Sequence, residues 1–325
     1  RIMNPTDQRR LGPPAAGLRA IKIFGLVFFA GLIGSPGATL YFKSGFEDGV
    51  SLDLGAKGGR IVGTDRRTGF SWTGDLRRVP SFDEATLGSM GRIPEDLGFG
   101  LVDAGAGQGR ALLMQVLHNN QPISTTRADF TLKHRHSPGF KQLYVRFKMR
   151  LDPKYPEAIA ATGEWFQITE YKSAIDPAGF RKTLSILVEQ DGNRFYPVAQ
   201  WRLLEAGIKR VKTIRPLWTV PNKSARIPFG EWFDAEMLLK LGKANEGRFF
   251  YAINGKTVFD IKDKETVSSD PFIPLDHWSI FKVYQDKKII QWMRDHGSVC
   301  QAWYDDLEIW NDVPTPMDRQ TQRKR

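Results

Sequence analysis

The stretch Gly247–Ile261, GRFFYAINGKTVFDI, decides the fold class. Two runs of alternating character flank Asn254-Gly255. A two-residue type I′ turn needs positive φ at both central positions, and Asn-Gly is the pair that supplies it most readily. The segment therefore reads as a β-hairpin. The same period of two recurs outward from it. In KQLYVRFKMRL (141–151), Leu143, Val145, Phe147, Met149 and Leu151 alternate with Tyr144, Arg146, Lys148 and Arg150, the pattern of a half-buried strand. In TTRADFTLKHR (125–135), Ala128, Phe130 and Leu132 alternate with Arg127, Asp129, Thr131 and Lys133. Further strands are expected at 40–49, 110–118, 164–172, 182–190, 195–203, 232–241, 278–285 and 301–310, with one short helix at 286–296. Residues 51–108, rich in Gly, Asp and Arg, read as loops with short strands. Many short strands without βαβ alternation predict an all-β protein, an antiparallel β-sandwich or jelly roll.

Composition agrees. The 325 residues are 41% hydrophobic and 12% aromatic, which excludes a disordered chain, a collagen and a polytopic membrane protein. Cys300 is the only cysteine, so an intrachain disulfide framework and a zinc ribbon are excluded. The net charge of +11 is concentrated partly at the ends, where Arg1, Arg9, Arg10, Arg19 and Lys22 face only Asp7. The mildly basic remainder suits a polyanion by long-range attraction, or is simply a solvated surface. Its Lys and Arg are scattered without a nucleic-acid motif, so nucleic acid is not an expected partner.

Residues 23–34, IFGLVFFAGLIG, form a 12-residue apolar run behind a basic stretch and ahead of Ser35, Gly37 and Ala38. The run is shorter than the roughly 20 residues of a membrane span. Residues 1–38 read as a secretory signal peptide or an N-terminal anchor, with no stable membrane span after its removal. The expected destination is periplasmic or extracellular. Residues 39–312 form the β-domain, and 313–325 a basic mobile tail.

Four segments, in order, carry a family resemblance. They are Arg127-Ala-Asp129; Trp165-Phe-Gln167-Ile-Thr169; IPFGEWFDAEMLLK (227–240) followed by the Asn-Gly-Lys hairpin; and Phe281-Lys282-Val-Tyr284-Gln285. Together they resemble polysaccharide lyases of the alginate lyase and heparin lyase I type, which have a concanavalin-like jelly roll. The resemblance implies cleavage of an anionic, uronate-containing polysaccharide by β-elimination, with no cofactor required. It implies Arg127 and Gln167 as groups that neutralise the uronate carboxylate, Tyr284 as acid and as candidate base, and Lys282 as an assisting cation. Two positions depart from the pattern. Thr169 stands where the family has histidine, and Lys282 and Tyr284 are two residues apart where the family has four.

The chemistry fits these residue types. β-Elimination needs a neutralised carboxylate, a base for the adjacent carbon-bound proton, and an acid for the leaving oxygen. Arg and Gln offer donors to a planar carboxylate. By parity, Arg127, Asp129 and Lys133 share one strand face, as do Trp165, Gln167, Thr169 and Tyr171, and as do Trp278, Lys282 and Tyr284. With Gln285, these form the expected sugar-binding groove. The alternative is an ordinary solvent face, and with it a non-catalytic carbohydrate-binding or surface-structural protein. His134 and His136 have the wrong parity for the groove, whereas His277 and His296, at strand ends, could reach its edge. A glycoside hydrolase is not expected, because Glu164 and Glu170 are too far apart along a strand and no Glu-x-Asp-x-x-Glu pattern accompanies Asp234 and Glu236.

Glu47-Asp48 near the first strand and Asp305-Asp306 in the last one form a separate expectation. First and last strands are commonly neighbours in a sandwich, and oxygen ligands from both would suit a structural Ca²⁺. The alternative is two exposed acidic turns.

Overall fold

The computed structural model describes residues 37–55, 58–79, 82, 84–88, 96–105, 109–118, 125–133, 139–173, 180–206, 211–266 and 275–315. Among these residues the chain forms strands β1 (Leu40–Ser44), β2 (Val50–Gly55), β3 (Gly58–Gly63), β4 (Glu84–Gly88), β5 (Leu97–Asp103), β6 (Arg110–Val116), β7 (Thr125–Lys133) and β8 (Gln142–Leu151). Helix α1 (Tyr155–Thr162) precedes β9 (Phe166–Ser173), β10 (Phe180–Asp191), β11 (Arg194–Ala206), β12 (Val211–Pro221), β13 (Phe233–Lys240), β14 (Arg248–Ile253), β15 (Lys256–Ile261) and β16 (Leu275–Asp286). Helix α2 (Lys287–Asp295) and β17 (Cys300–Trp310) complete the series.

The strands make two antiparallel sheets that do not close into a barrel, the all-β sandwich expected of a jelly roll. The first runs β15-β14-β13-β8-β17-β6-β5, with β1 also on β17. The second runs β12-β11-β10-β9-β16-β7-β4-β3-β2. Alternation assigns the faces. Along β8, Leu143, Val145, Phe147, Met149 and Leu151 are buried, while Arg146, Lys148 and Arg150 face outward. Phe281 of one sheet stacks on Tyr304 of the other, with ring centroids 4.3 Å apart, and Phe130 and Phe147 close around it at 4.9 and 5.0 Å. Each such fully buried ring contributes about 1.5–3 kcal/mol of apolar burial.

The hairpin β14–β15 turns on Asn254 (φ 50°) and Gly255 (φ 72°), as the type I′ reading requires. The first and last strands pair directly, Leu40 opposite Trp310 and Ser44 opposite Leu307. The short helix expected at 286–296 is α2, capped by Asp286, whose carboxylate accepts from the Lys288 amide at 2.9 Å. Two elements escape the sequence reading. One is β12. The other is α1, although Pro156 in its first turn and Gly163 at its end (φ 68°) are the usual punctuation of a helix. Tyr155 of α1 stacks on Phe166 at 4.8 Å and lies against Cys300, whose thiol is fully buried and pushed up by that burial. Val313, expected in the tail, is instead buried beside Trp310 and Tyr144. No helix among the described residues is long and apolar enough to cross a membrane. The apolar run at 23–34, His134 and His136 lie outside the described residues.

Candidate functional site

The outer face of the second sheet carries the polar residues singled out from sequence. On β7, Ala128, Phe130 and Leu132 enter the core. Arg127, Asp129, Thr131 and Lys133 face the other way and line a cavity of about 550 Å³. Strand register sets Arg127 opposite Tyr284, and Tyr284 opposite Gln167, in one row across β7, β16 and β9. A second row joins Lys133, His277 and Lys172.

Between these rows both central strands break period. Register shifts between Ser279 and Tyr284 of β16 as it passes β9, and between Gln167 and Thr169 of β9, opposite Leu187 and Ile186 of β10. These are β-bulges, and each reverses the facing of the residues beyond it. On β9, Phe166, Ile168 and Tyr171 all belong to the core. Thr169 points inward with them, accepting the Trp278 indole N–H at 3.0 Å and donating to the Ser279 carbonyl at 3.2 Å. Glu170 and Lys172 are thereby turned outward. On β16, the Tyr304 hydroxyl reaches from the opposite sheet, accepts from the Lys282 amide at 3.1 Å and donates to the Lys282 carbonyl at 3.0 Å. The backbone groups left over by the bulge are satisfied in this way.

The bulges assemble a charge cluster. The Glu170 carboxylate touches Lys282, and lies 2.8 Å from Lys172, 3.6 Å from Arg202 and 3.9 Å from Arg127. Asp129 lies 2.8 Å from Arg127 Nε and 3.9 Å from Lys282. Its Oδ1 is buried without a hydrogen-bond partner, and so is Gln167 Oε1. Four cations thus face two carboxylates, an excess of positive charge. Burial alone would raise the Glu170 carboxyl, but Lys172, Lys282, Arg127 and Arg202 together hold it well below the usual range. Burial, and then the Arg127 cation, bring Lys172 from 10.5 down to about 7, with Glu170 pulling the other way. Lys172 lines the cavity with Arg127, Lys133, His277 and Ser279, and glycines at 55, 58, 59 and 88 line it too. At Gly58 (φ 118°) a Cβ would lie 2.3 Å from the Leu87 carbonyl oxygen, so the backbone approach there requires glycine.

The structure separates the residues expected to act together. Arg127, Asp129, Lys133 and Tyr284 are on the outer face. Trp165 is half-buried beside Tyr284, edge to face at 5.3 Å, against the apolar patch Leu187, Tyr196 and Val198. Gln167 and Lys282 share that face but are sealed beneath it at 0% and 1% exposure. Thr169, Tyr171 and Trp278, expected to bind substrate, are corrected to core residues, with Tyr171 stacked on Trp278 at 4.3 Å. Strict period-two counting through the bulges misplaced them. Gln285, next to outward Tyr284, is fully buried and cannot touch a saccharide. His277 does line the cavity. His296 stacks on Trp292 at 3.9 Å at the end of α2. Glu170, Lys172 and Arg202 went unrecognised. A signal was present on β9, since positions 170 and 172 carry Glu and Lys in alternation with Thr and Tyr at 169 and 171.

The expected calcium ligands are arranged around a guanidinium rather than as a metal-binding group. Arg67 stands among them, 3.2 Å from Glu47 and 2.5 Å from Asp306, and Asp48 lies in an exposed turn. Among the described residues no group of three His, Cys, Asp or Glu is placed to hold a metal ion. A guanidinium supplies the positive charge that the ion was expected to bring.

No protein-family model matches the sequence, and no curated protein matches it. Solved structures are similar in fold. The endo-β-1,4-glucuronan lyase of the fungus Trichoderma reesei aligns with a TM-score of 0.43 at 16% identity, over 73% of this chain and 98% of that one. The marine alginate lyase of Aplysia kurodai aligns at 0.47 and 8% identity, over 84% and 99%. The alginate lyase Aly36B, solved with an alginate tetrasaccharide, aligns at 0.41 and 14% identity, over 67% and 88%.

Proposed function

We propose that this chain cleaves a uronate-containing polysaccharide by β-elimination at the face formed by β7, β16 and β9. The observation that carries the reading is a cavity lined together by a guanidinium, Arg127, and by Lys172, whose burial brings it down to about 7. Arg127 takes the uronate carboxylate, which lowers the cost of charge developing next to it. Neutral Lys172 accepts the proton from the carbon bearing that carboxylate. The electron pair of the broken C–H bond becomes the new double bond, and the glycosidic C–O bond opens. Tyr284, in the same row as Arg127, protonates the departing oxygen. Lys282 lies 4.8 Å from the Tyr284 ring and shares Glu170 with Lys172, so it fixes the positions of both from beneath. Such a substrate is an extended polymer met outside the cell, in line with the export signal or anchor expected of residues 1–38. The rival is a carbohydrate-binding protein with the same face and no turnover.

Elimination leaves an unsaturated uronate that absorbs in the ultraviolet. On glucuronan, alginate or a glycosaminoglycan, the protein is expected to generate that absorbance. Lys172→Met and Tyr284→Phe should each reduce the rate by about 10²–10⁴-fold. Binding of these polymers with no absorbance from the unaltered protein would decide for the rival.

A further inference from the structure

The outer face of the first sheet, opposite the cavity, holds a second built arrangement. Strand β8 turns three cations outward. Arg146 meets Asp234 at 3.2 Å and Lys148 meets Asp306 at 3.8 Å. Arg150 meets no carboxylate among the described residues. Its guanidinium instead lies over two indoles, 4.2 Å from the Trp303 ring and 5.4 Å from the Trp232 ring. Register explains the alignment. Gly100 pairs with Leu113, Leu113 with Trp303, and Trp303 with Arg150, while Trp232 immediately precedes β13, whose Phe233 faces Met149. Neither indole belongs to the core clusters, and Trp232 is fixed by donating to the Ala104 carbonyl at 3.2 Å. The adjoining row is polar. Gln115 donates to Gln301 at 2.8 Å and Gln301 to Asp152 at 2.7 Å, which keeps that carboxylate engaged away from Arg150.

A guanidinium set beside indoles and paired with no carboxylate among the described residues has N–H donors to offer, and their fork matches a carboxylate with two parallel hydrogen bonds. An indole beside it offers a flat surface for a sugar ring. One ligand class presents both features in one unit, a pyranose carrying a carboxylate. We propose that Arg150 and Trp303 form a second, non-catalytic binding site for uronate units of an anionic polysaccharide. The choice of ligand rests on the reading of the cavity as a uronate site. With sites on opposite sheets, one molecule can hold the polymer at one face while acting at the other, which raises the effective concentration at the cavity.

The test is retention of the full chain in native gels containing sodium alginate or glucuronan, with a neutral β-glucan as control, together with ultraviolet assays on short oligouronates. Arg150→Gln and Trp303→Ala should each weaken retention by the acidic polymers roughly fivefold or more, with short-substrate turnover unchanged. Arg150→Lys keeps charge and stem but loses the planar fork, and should also weaken retention; it serves if either other variant misfolds. Unchanged acidic retention in folded variants overturns the site, as does equal loss on the neutral glucan. Loss of retention in Arg150→Gln from a protein that never yields ultraviolet product keeps this site and removes the lyase reading. Product formation with retention untouched does the reverse.

Discussion

Thr169 sits two residues past Gln167, where a strict strand would bring it to the surface, yet its hydroxyl accepts a buried indole N–H. Thr169→Val should therefore cost about 1–3 kcal/mol of stability, because the Trp278 donor is left unpaired. Thr169→His, which introduces the residue that the family resemblance expects at this position, should destabilise by a similar amount through overpacking and add no ultraviolet-detected activity. A gain in activity would show that the side chain reaches the outer face. Lys172 sets a second expectation. Its folded value of about 7 lies below the ordinary lysine value, so the neutral, proton-accepting form grows in as pH rises through 7. The rate should rise along that limb. Glu170 is one of the groups pulling Lys172 upward, so Glu170→Gln should move the limb to lower pH, as read from a pH–rate profile. A limb that stays in place would separate Lys172 from the reaction.

At the scale of elements, what was legible depended on how local the determinant is. The Asn254-Gly255 hairpin was legible because the turn chemistry lies in two adjacent residues. A Cβ on Gly255 would meet nothing within 4 Å, so the cost of Gly255→Ala comes from φ alone. It should lower the urea midpoint by an amount worth about 1–2 kcal/mol. The row Arg127–Tyr284–Gln167 was legible because β7 carries no bulge and Tyr284 and Gln167 each lie on the near side of the one in their strand. Past the bulges the same counting put Tyr171 and Trp278 in the groove and left Glu170 and Lys172 out. The determinants there are non-local: the Tyr304 hydroxyl arrives from the opposite sheet to hold the Lys282 backbone, and nothing within β16 announces it. Helix α1 was missed despite its Pro and Gly, since eight residues give too little periodicity to stand out among strands.

At the scale of the whole molecule, the pairing of first and last strands brings Asp305, Asp306, Glu47 and Arg67 together. Burial, then the neighbouring Asp306 charge, raises the Asp305 carboxyl from 3.8 to about 7. A folded value above the unfolded one means that protonated Asp305 favours the fold at low pH, and that this contribution fades as pH rises through 7. Asp305→Asn should flatten thermal stability between pH 4 and 8 and raise it at the alkaline end, by on the order of 2 kcal/mol. An unaltered pH profile would mean that the carboxyl is ionised throughout.

The buried thiol beneath α1 has a practical use. Cys300 begins β17, the strand that β1, β6 and β8 all share, and its sulfur is closed off by Tyr155. An alkylating reagent can reach it only when the helix lifts or the last strand detaches. Its labelling rate therefore clocks how often the sandwich opens at its seam, in a chain that offers no competing cysteine.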